Sequence, residues 1–256
     1  MEFPTIQTVF TEGVTADFIA SDEQIEWWST RFRRLQYRPQ DVCEFLLRGV
    51  PGSHVAKLTA INPERDYACV ELYGYDEHGQ IFESGRSVEF SIRQVHLNMS
   101  SVTADWQGRG VGSRLAANCY RLARMLDFGS LGVTAMLTGS YTWARAGFLP
   151  AYESWNAANC KGKITNYLGG LRGVDATDGQ VAREALEDDE PEGIWSIADL
   201  ESFVLTGASG KPEPLRKALL IGSGSSWKGT MEFDGHYLLE EQLCRARSYL
   251  RLKPNE

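Results

Sequence analysis

Cysteine is sparse in this chain and shows no pattern. Its five cysteines, Cys43, Cys69, Cys119, Cys160 and Cys244, are scattered over 256 residues with no CxxC pair and no histidine at metal-ligand spacing. No metal site is expected, and the thiols are expected to be reduced and mostly buried as small apolar side chains. Positive charge is also short, with 26 Lys and Arg against 34 Asp and Glu and a net charge of −8. A sequence-independent grip on nucleic acid needs a basic surface, so that class of partner is disfavoured, while a cationic substrate is compatible. No apolar run approaches membrane-spanning length, and Met1-Glu2-Phe3-Pro4-Thr5 lacks the basic segment and apolar core of a secretory signal. The cytoplasm is the expected compartment, with no membrane partner. Asn98-Met99-Ser100 matches a glycosylation sequon but falls in a strand-like stretch, where it carries no weight. There is no internal repeat and no low-complexity tract.

The informative stretch is Trp106-Gln107-Gly108-Arg109-Gly110-Val111-Gly112-Ser113. Glycines at alternate positions let the backbone pass close to a ligand and turn its N–H groups inward. Val111, Leu115, Cys119, Leu122 and Leu126 follow at helical spacing, so a helix with one apolar face opens out of the loop. A helix N-terminus offers free N–H groups and a partial positive charge, and Arg109 and Arg114 add formal charge. The expected ligand is a pyrophosphate. A plain strand-to-helix turn would need the same glycines. A dinucleotide-binding loop fails on context, since Asp127 precedes the next apolar run instead of ending a strand and Ser113 stands where the third glycine would fall. A P-loop is excluded because no Lys-Ser or Lys-Thr follows.

Upstream, Ser21-Asp22-Glu23-Gln24 has the spacing of a capping box, and Ile25, Trp28, Phe32 and Leu35 form a helical stripe ending before Pro39. A second helix runs from Pro39 through Leu47, with Val42, Phe45 and Leu46 inward and Gly49 past its end. Strand-like stretches cover His54 to Ile61, Tyr67 to Tyr75 and Ser87 to Val102, with turns at Asn62-Pro63 and Asp76 to Gly79. In the third stretch the apolar alternation shifts from Val88, Phe90 and Ile92 to Val95, Leu97 and Met99, which predicts a bulge near Arg93-Gln94. Gln94, His96, Asn98 and Ser100 then share the other face, and a polar face on a central strand implies a wet cleft. Beyond residue 150 the chain reads as an extension. It holds loops near 169–173 and 175–179, an acidic run at 187–192 and a helical stripe of Leu239, Leu243, Ala246 and Leu250. Gly222-Ser223-Gly224-Ser225-Ser226 lacks the second glycine of a nucleophile elbow and reads as a flexible turn.

The segment Gln107-Gly108-Arg109-Gly110-Val111-Gly112 resembles the Gln/Arg-x-x-Gly-x-Gly/Ala signature of the GNAT superfamily of N-acetyltransferases. The order around it agrees: a strand ending near Val102, the loop and helix, a strand from about Gly132 to Leu137, then Tyr141-Thr142-Trp143-Ala144-Arg145-Ala146-Gly147-Phe148 as a closing helix with a terminal Gly-Phe. The resemblance covers residues 88 to 149. It implies an α/β (α+β) fold, a mixed, centrally splayed sheet flanked by helices, with the core at 1–150 and a C-terminal extension of unknown role at 151–256 packed on it. It also implies transfer of an acetyl group from acetyl-CoA, as co-substrate, to a small amine, a peptide or a protein amine by direct attack.

By resemblance the pyrophosphate lies on the segment formed by Gln107, Gly108, Arg109, Gly110, Val111, Gly112 and Ser113. The pantetheine runs along Ser100, Ser101 and Val102, whose backbone N–H groups polarise the thioester carbonyl. The histone-modifying branch carries a glutamate base eleven positions before the Gln of the loop, and that position here is His96; Glu71 and Glu89 are fallback bases. Many members carry a tyrosine four residues before the Gly of Gly-Phe as the acid for the leaving thiolate, where this chain has Trp143. Tyr141 or Ser140 could serve in its place if the helix begins differently. The usual Asn seven positions before that tyrosine is replaced by Met136. These departures keep three alternatives open: a non-catalytic interaction protein on a degenerate acetyltransferase fold, an acyltransferase using another acyl donor, and a secreted effector or toxin.

Overall fold

The computed structural model describes residues 9–206, 210–235 and 237–253. The first five residues, read above for a secretory signal, lie outside the described residues. The fold is mixed α/β, and the chain divides into two compact units, residues 1–131 with 250–256 and residues 132–249.

In the first unit helix α1, Asp22–Arg31, begins with the expected capping box: Ser21 Oγ accepts from the Gln24 N–H at 3.3 Å and the Ser21 N–H donates to Gln24 Oε1 at 3.0 Å. It stops at Phe32, so Leu35 falls in the turns that follow rather than in the helical stripe. Helix α2, Pro39–Leu47, starts on proline and buries Val42, Phe45 and Leu46 as expected. Strand β1, Thr15–Ala16, pairs parallel with β2, Ser53–Asn62. Antiparallel pairings then add β3, Tyr67–Asp76, β4, Gly79–Glu89, and β5, Gln94–Val102. The parallel pairing of β1 with β2, beside the antiparallel meander, makes the sheet mixed.

The stretch from Ser87 to Val102 is not one strand with a bulge at Arg93-Gln94. It is the end of β4, a tight reversal and β5. The Arg93 N–H donates to the Phe90 carbonyl at 3.2 Å and Arg93 takes a φ of +51°. The change of alternation seen in the sequence marks that reversal, and Ile92 at its tip is 58% exposed. A bulge does occur in β5, but further along. Leu97 stands opposite Arg86 and Met99 opposite Gly85, so Asn98 is one residue too many.

The bulge reassigns the faces of the strand. Val95 and Leu97 share a face with Val88 and Arg86, and beyond Asn98 that face continues through Ser100 and Val102, paired with Ser84 and Phe82. The opposite face carries Gln94, His96, Met99 and Ser101, paired with Glu89, Ser87, Gly85 and Glu83. The expected grouping of Ser100 with His96, and of Met99 with Leu97, is therefore corrected. Met99 is 44% exposed while Val95 and Leu97 are buried.

Helix α3, Val111–Met125, buries Val111, Leu115, Cys119 and Leu122 along one stripe. Buried Asn118 ties it to α2 by donating Nδ2 hydrogen bonds to the Leu46 and Arg48 carbonyls, both at 2.9 Å. Those carbonyls end α2 and have no intrahelical donor, so Asn118 supplies the missing partner. An aromatic cluster holds α1 to the β4–β5 reversal. Phe90 meets Trp27, Phe32 and Phe128 edge-on at centroid distances of 5.6, 5.2 and 5.1 Å.

Strand β6, Ser130–Met136, begins in the first unit and runs into the second. Helix α4, Thr138–Arg145, strand β7, Leu149–Pro150, and short helix α5, Tyr152–Trp155, follow. Next come α6, Lys163–Gly170, α7, Ala176–Glu187, and α8, Gly193–Ala198, then a hairpin of β8, Phe203–Thr206, and β9, Lys211–Pro214. One-turn helix α9, Leu215–Lys217, strand β10, Ser226–Glu232, and helix α10, Leu239–Leu250, complete the chain. Strand β10 lies between β6 and β7, antiparallel to β7 with Gly229 opposite Pro150. The boundary expected at residue 150 thus falls inside this unit, because a strand from the later sequence completes it. The Gly222–Ser226 turn is ordered, with Ser225 buried and donating to the Leu220 carbonyl at 2.9 Å.

Candidate active site

The glycine loop leads from β5 into α3 as the sequence predicts. Gly108 and Gly110 take φ of +76° and +84°, left-handed values that favour glycine at both positions. A Cβ on Gly108, Gly110 or Gly112 would meet nothing within 4 Å, so the space above all three is open. Gly110 is the N-cap of α3 and offers no side chain to its orphan amides, and the first turn holds no acidic residue. The Arg114 N–H closes the first helical bond on the Gly110 carbonyl at 2.9 Å, which leaves the N–H groups of Val111, Gly112 and Ser113 ahead of it without intrahelical acceptors. Over a helix of 15 residues this is an anion-ready terminus.

Neighbouring side chains brace the loop. Gln107 donates Nε2 to the Val102 carbonyl at 3.0 Å, pulling the loop back onto the end of β5. Trp106 donates its indole N–H to Asp76 Oδ2 at 2.9 Å and carries the Arg109 guanidinium 4.9 Å above its ring. The His78 backbone N–H, with the Trp106 indole, holds the Asp76 carboxyl below the usual carboxylate range. Arg109 therefore presents a positioned cation beside the open amides.

His96 sits half-buried on the polar face of β5. Its Nδ1 lies 2.6 Å from Asn98 Oδ1, and Ser87 Oγ lies 3.3 Å from the same oxygen. Ser87 Oγ in turn donates to Glu89 Oε1 at 2.8 Å. An Asn98 oxygen facing Nδ1 requires the proton there, which leaves Nε2 as the lone-pair nitrogen. Glu71, the other fallback base, stands on the same face and is occupied by the Tyr73 hydroxyl at 2.7 Å, which pushes the Tyr73 phenol up to about 12.

Ser100 lies across the bulge, on the opposite face from His96. Its Oγ accepts from Arg86 Nη2 at 3.0 Å and lies 3.1 Å from Ser84 Oγ. Arg86 is 1% exposed, a placement that composition and alternation give no reason to expect. Ser101 is exposed and Val102 half-buried. Cys119, the thiol of α3, is fully buried; burial pushes it up, with the Arg86 guanidinium opposing, so it is a poor nucleophile.

In the second unit Trp143, four residues before Gly147, is 9% exposed and edge-on to Phe148 at 5.4 Å. Ser140 is fully buried and donates to the Ser225 carbonyl at 2.6 Å, so its proton is committed and it cannot serve as the acid. Tyr141 is half-buried with the Lys217 ammonium 5.8 Å from its ring centroid. Met136, in place of the usual asparagine, is exposed at the end of β6. Among the described residues no group of three or more His, Cys, Asp or Glu is arranged to hold a metal ion, and no helix is long and apolar enough to cross a membrane.

No family model matches the chain, and no curated protein matches it. Among solved structures it is similar to nourseothricin acetyltransferase, with 21% identity and a TM-score of 0.29 over 36% of this chain and 56% of that one. It is also similar to a tandem GNAT protein from the clavulanic acid biosynthesis pathway, with 16% identity and a TM-score of 0.28 over 51% of this chain and 42% of that one. The matches span about half the length of each neighbour.

Proposed function

We propose that this chain is an acyl-CoA-dependent N-acyltransferase that moves an acetyl group from acetyl-CoA to an amine by direct attack. The observation that carries the reading is the set of orphan amides of Val111, Gly112 and Ser113 at the start of α3, approached through two left-handed glycines, with no acid in the first turn and Arg109 fixed over Trp106. Such a terminus suits a pyrophosphate. Immediately before it stands a strand with a bulge at Asn98, and Ser100 to Val102 lead from the bulge to the loop. In this reading the pantetheine follows those residues and their backbone N–H groups polarise the thioester carbonyl.

His96 is the base we assign. The Asn98 contact directs its lone pair to Nε2, where it accepts the ammonium proton of the acceptor directly or through water. The acceptor is a small amine, a peptide or a protein amine. Calorimetry with acetyl-CoA tests the reading: binding is expected for the native protein and lost in Gly110→Asp, which fills the turn and repels phosphate. No heat and no thermal shift at millimolar acetyl-CoA would overturn it.

A second reading is a binding protein on the same scaffold that performs no transfer. The buried indole of Trp143 at the place of the usual acid favours it. The two separate on product: acetylated amine from a broad amine panel supports the enzyme, whereas bound acetyl-CoA with thioester loss to water alone supports the binding protein.

A further inference from the structure

Arg86 is a buried cation with no counter-charge among the described residues. It is 1% exposed in the middle of β4. Nε donates to Cys119 Sγ at 3.1 Å, Nη1 to the Gly85 and Met99 carbonyls at 2.6 and 2.9 Å, and Nη2 to Ser100 Oγ at 3.0 Å. None of these partners is an anion. No carboxylate among the described residues lies within ion-pair distance of the guanidinium. A charge in such a place is costly unless something negative is stabilised there during the protein's work.

Among the groups that touch the guanidinium, Ser100 supplies a hydroxyl and is an exposed residue beside the bulge. The Ser84 hydroxyl has two acceptors within reach, Ser100 Oγ at 3.1 Å and the Met99 carbonyl at 3.4 Å. When it donates to the nearer one, Ser100 Oγ receives two hydrogen bonds, one from a cation, and its own proton is left without an acceptor among the described residues. A hydroxyl polarised in this way is a stronger donor than a free serine.

We propose that Ser100, polarised by Arg86, is the hydrogen-bond donor to the leaving thiolate in acetyl transfer, taking over the part for which Trp143 has no proton. The proposal rests on the acyltransferase reading above. As the amine nitrogen bonds to the acetyl carbon, the carbon–sulfur bond breaks and its electron pair stays on sulfur. The amine proton passes through water to His96, which stands on the other face of β5, and on to solvent. The thiolate is held by the Ser100 O–H and takes a proton from solvent as it departs, so amine and thioester become amide and thiol. Ser100 touches the reacting sulfur and is a catalytic residue. Arg86 acts only through it and is a positioning residue.

The test uses free CoA and needs no turnover. Thiolate absorbance of bound CoA is followed against pH, with desulfo-CoA as the blank, in the native protein and in Ser100→Ala and Ser100→Thr. The native protein is expected to ionise the bound thiol at least about tenfold more readily than water does, the scale of one nearby favourable charge. Ser100→Ala is expected to lose that gain while binding desulfo-CoA within about twofold of native, and Ser100→Thr to retain it. Arg86→Gln is expected to behave as Ser100→Ala if it folds, but the test does not depend on it, because Ser100→Thr keeps the hydroxyl that Arg86 and Ser84 use and desulfo-CoA binding checks that Ser100→Ala is folded. CoA that binds with an unperturbed thiol, or with the same ionisation in Ser100→Ala as in the native protein, overturns the proposal and leaves the acyltransferase reading standing. Failure of CoA to bind the native protein overturns both.

Discussion

At the scale of single residues, His96 and the groups that position the site are legible in the sequence to different degrees. His96 can be found by counting from Gln107, and its place on a polar face of β5 agrees with the pleat of the strand. Asn98, the group that orients it, stands in the sequence only as a neighbour two positions on; a residue inserted by a bulge breaks the alternation that would have assigned its face. Arg86 gives no signal at all, since an arginine in a strand is ordinarily exposed and only the folded packing shows it buried. His96→Ala is expected to lower turnover by about a hundredfold, the usual scale for a lost general base, with acetyl-CoA affinity unchanged. Full activity in the variant would transfer the role to Glu89 or Glu71. Asn98→Leu is the companion variant: it should slow turnover less than His96→Ala, without altering cofactor affinity.

At the scale of elements, caps and glycines are the reliable signals. The Ser21–Gln24 box, the proline start of α2 and the Gly108–Gly110 loop each appear where local chemistry places them, because each is decided by a few adjacent residues. The β4–β5 hairpin is hidden because its reversal, from Phe90 to Arg93, holds no Gly, Pro, Asn or Asp. What makes the turn there is tertiary. Phe90 is clamped by Trp27, Phe32 and Phe128, and the Gly129 N–H donates to the Arg93 carbonyl at 3.0 Å. Phe90→Ala should therefore cost more than its half-buried position suggests, about 3 kcal/mol, the lower end for aromatic truncation. The check is the urea midpoint; a loss within error would mean that the reversal is held by its backbone alone. Asn118→Ala is expected to cost about 1–3 kcal/mol by leaving the Leu46 and Arg48 carbonyls unsatisfied at the end of α2.

At the scale of the whole molecule, the division of the chain is the least legible feature. Strand β10 sits between β6 and β7 although some ninety residues separate it from β6 in sequence. Short-range periodicity carries no information about such a pairing. The cysteines give a global test that spans both units. Burial pushes Cys43 and Cys160 up to about 12 and Cys69 up to about 11, burial also raises Cys119, and Cys244 alone is exposed. At pH 8 a thiol with a pKa of about 11 is ionised to roughly one part in a thousand, and the thiolate is the reactive form. The native protein should therefore consume about one equivalent of a thiol reagent quickly, at Cys244, and five only when unfolded. The same groups set an alkaline limit. In the unfolded chain these thiols ionise near the usual cysteine value, about 8.5. Between there and 11 to 12 the folded protein holds protons that the unfolded chain has released. The stability these groups contribute is thus complete below about pH 8.5 and falls as pH rises through that window. Cys43→Ala removes one part of that fall, so its midpoint in urea should be lower than native at pH 7 but decline less steeply between about pH 9 and 11. Parallel declines in the two proteins would show that Cys43 ionises alike in both states and would contradict its burial in α2.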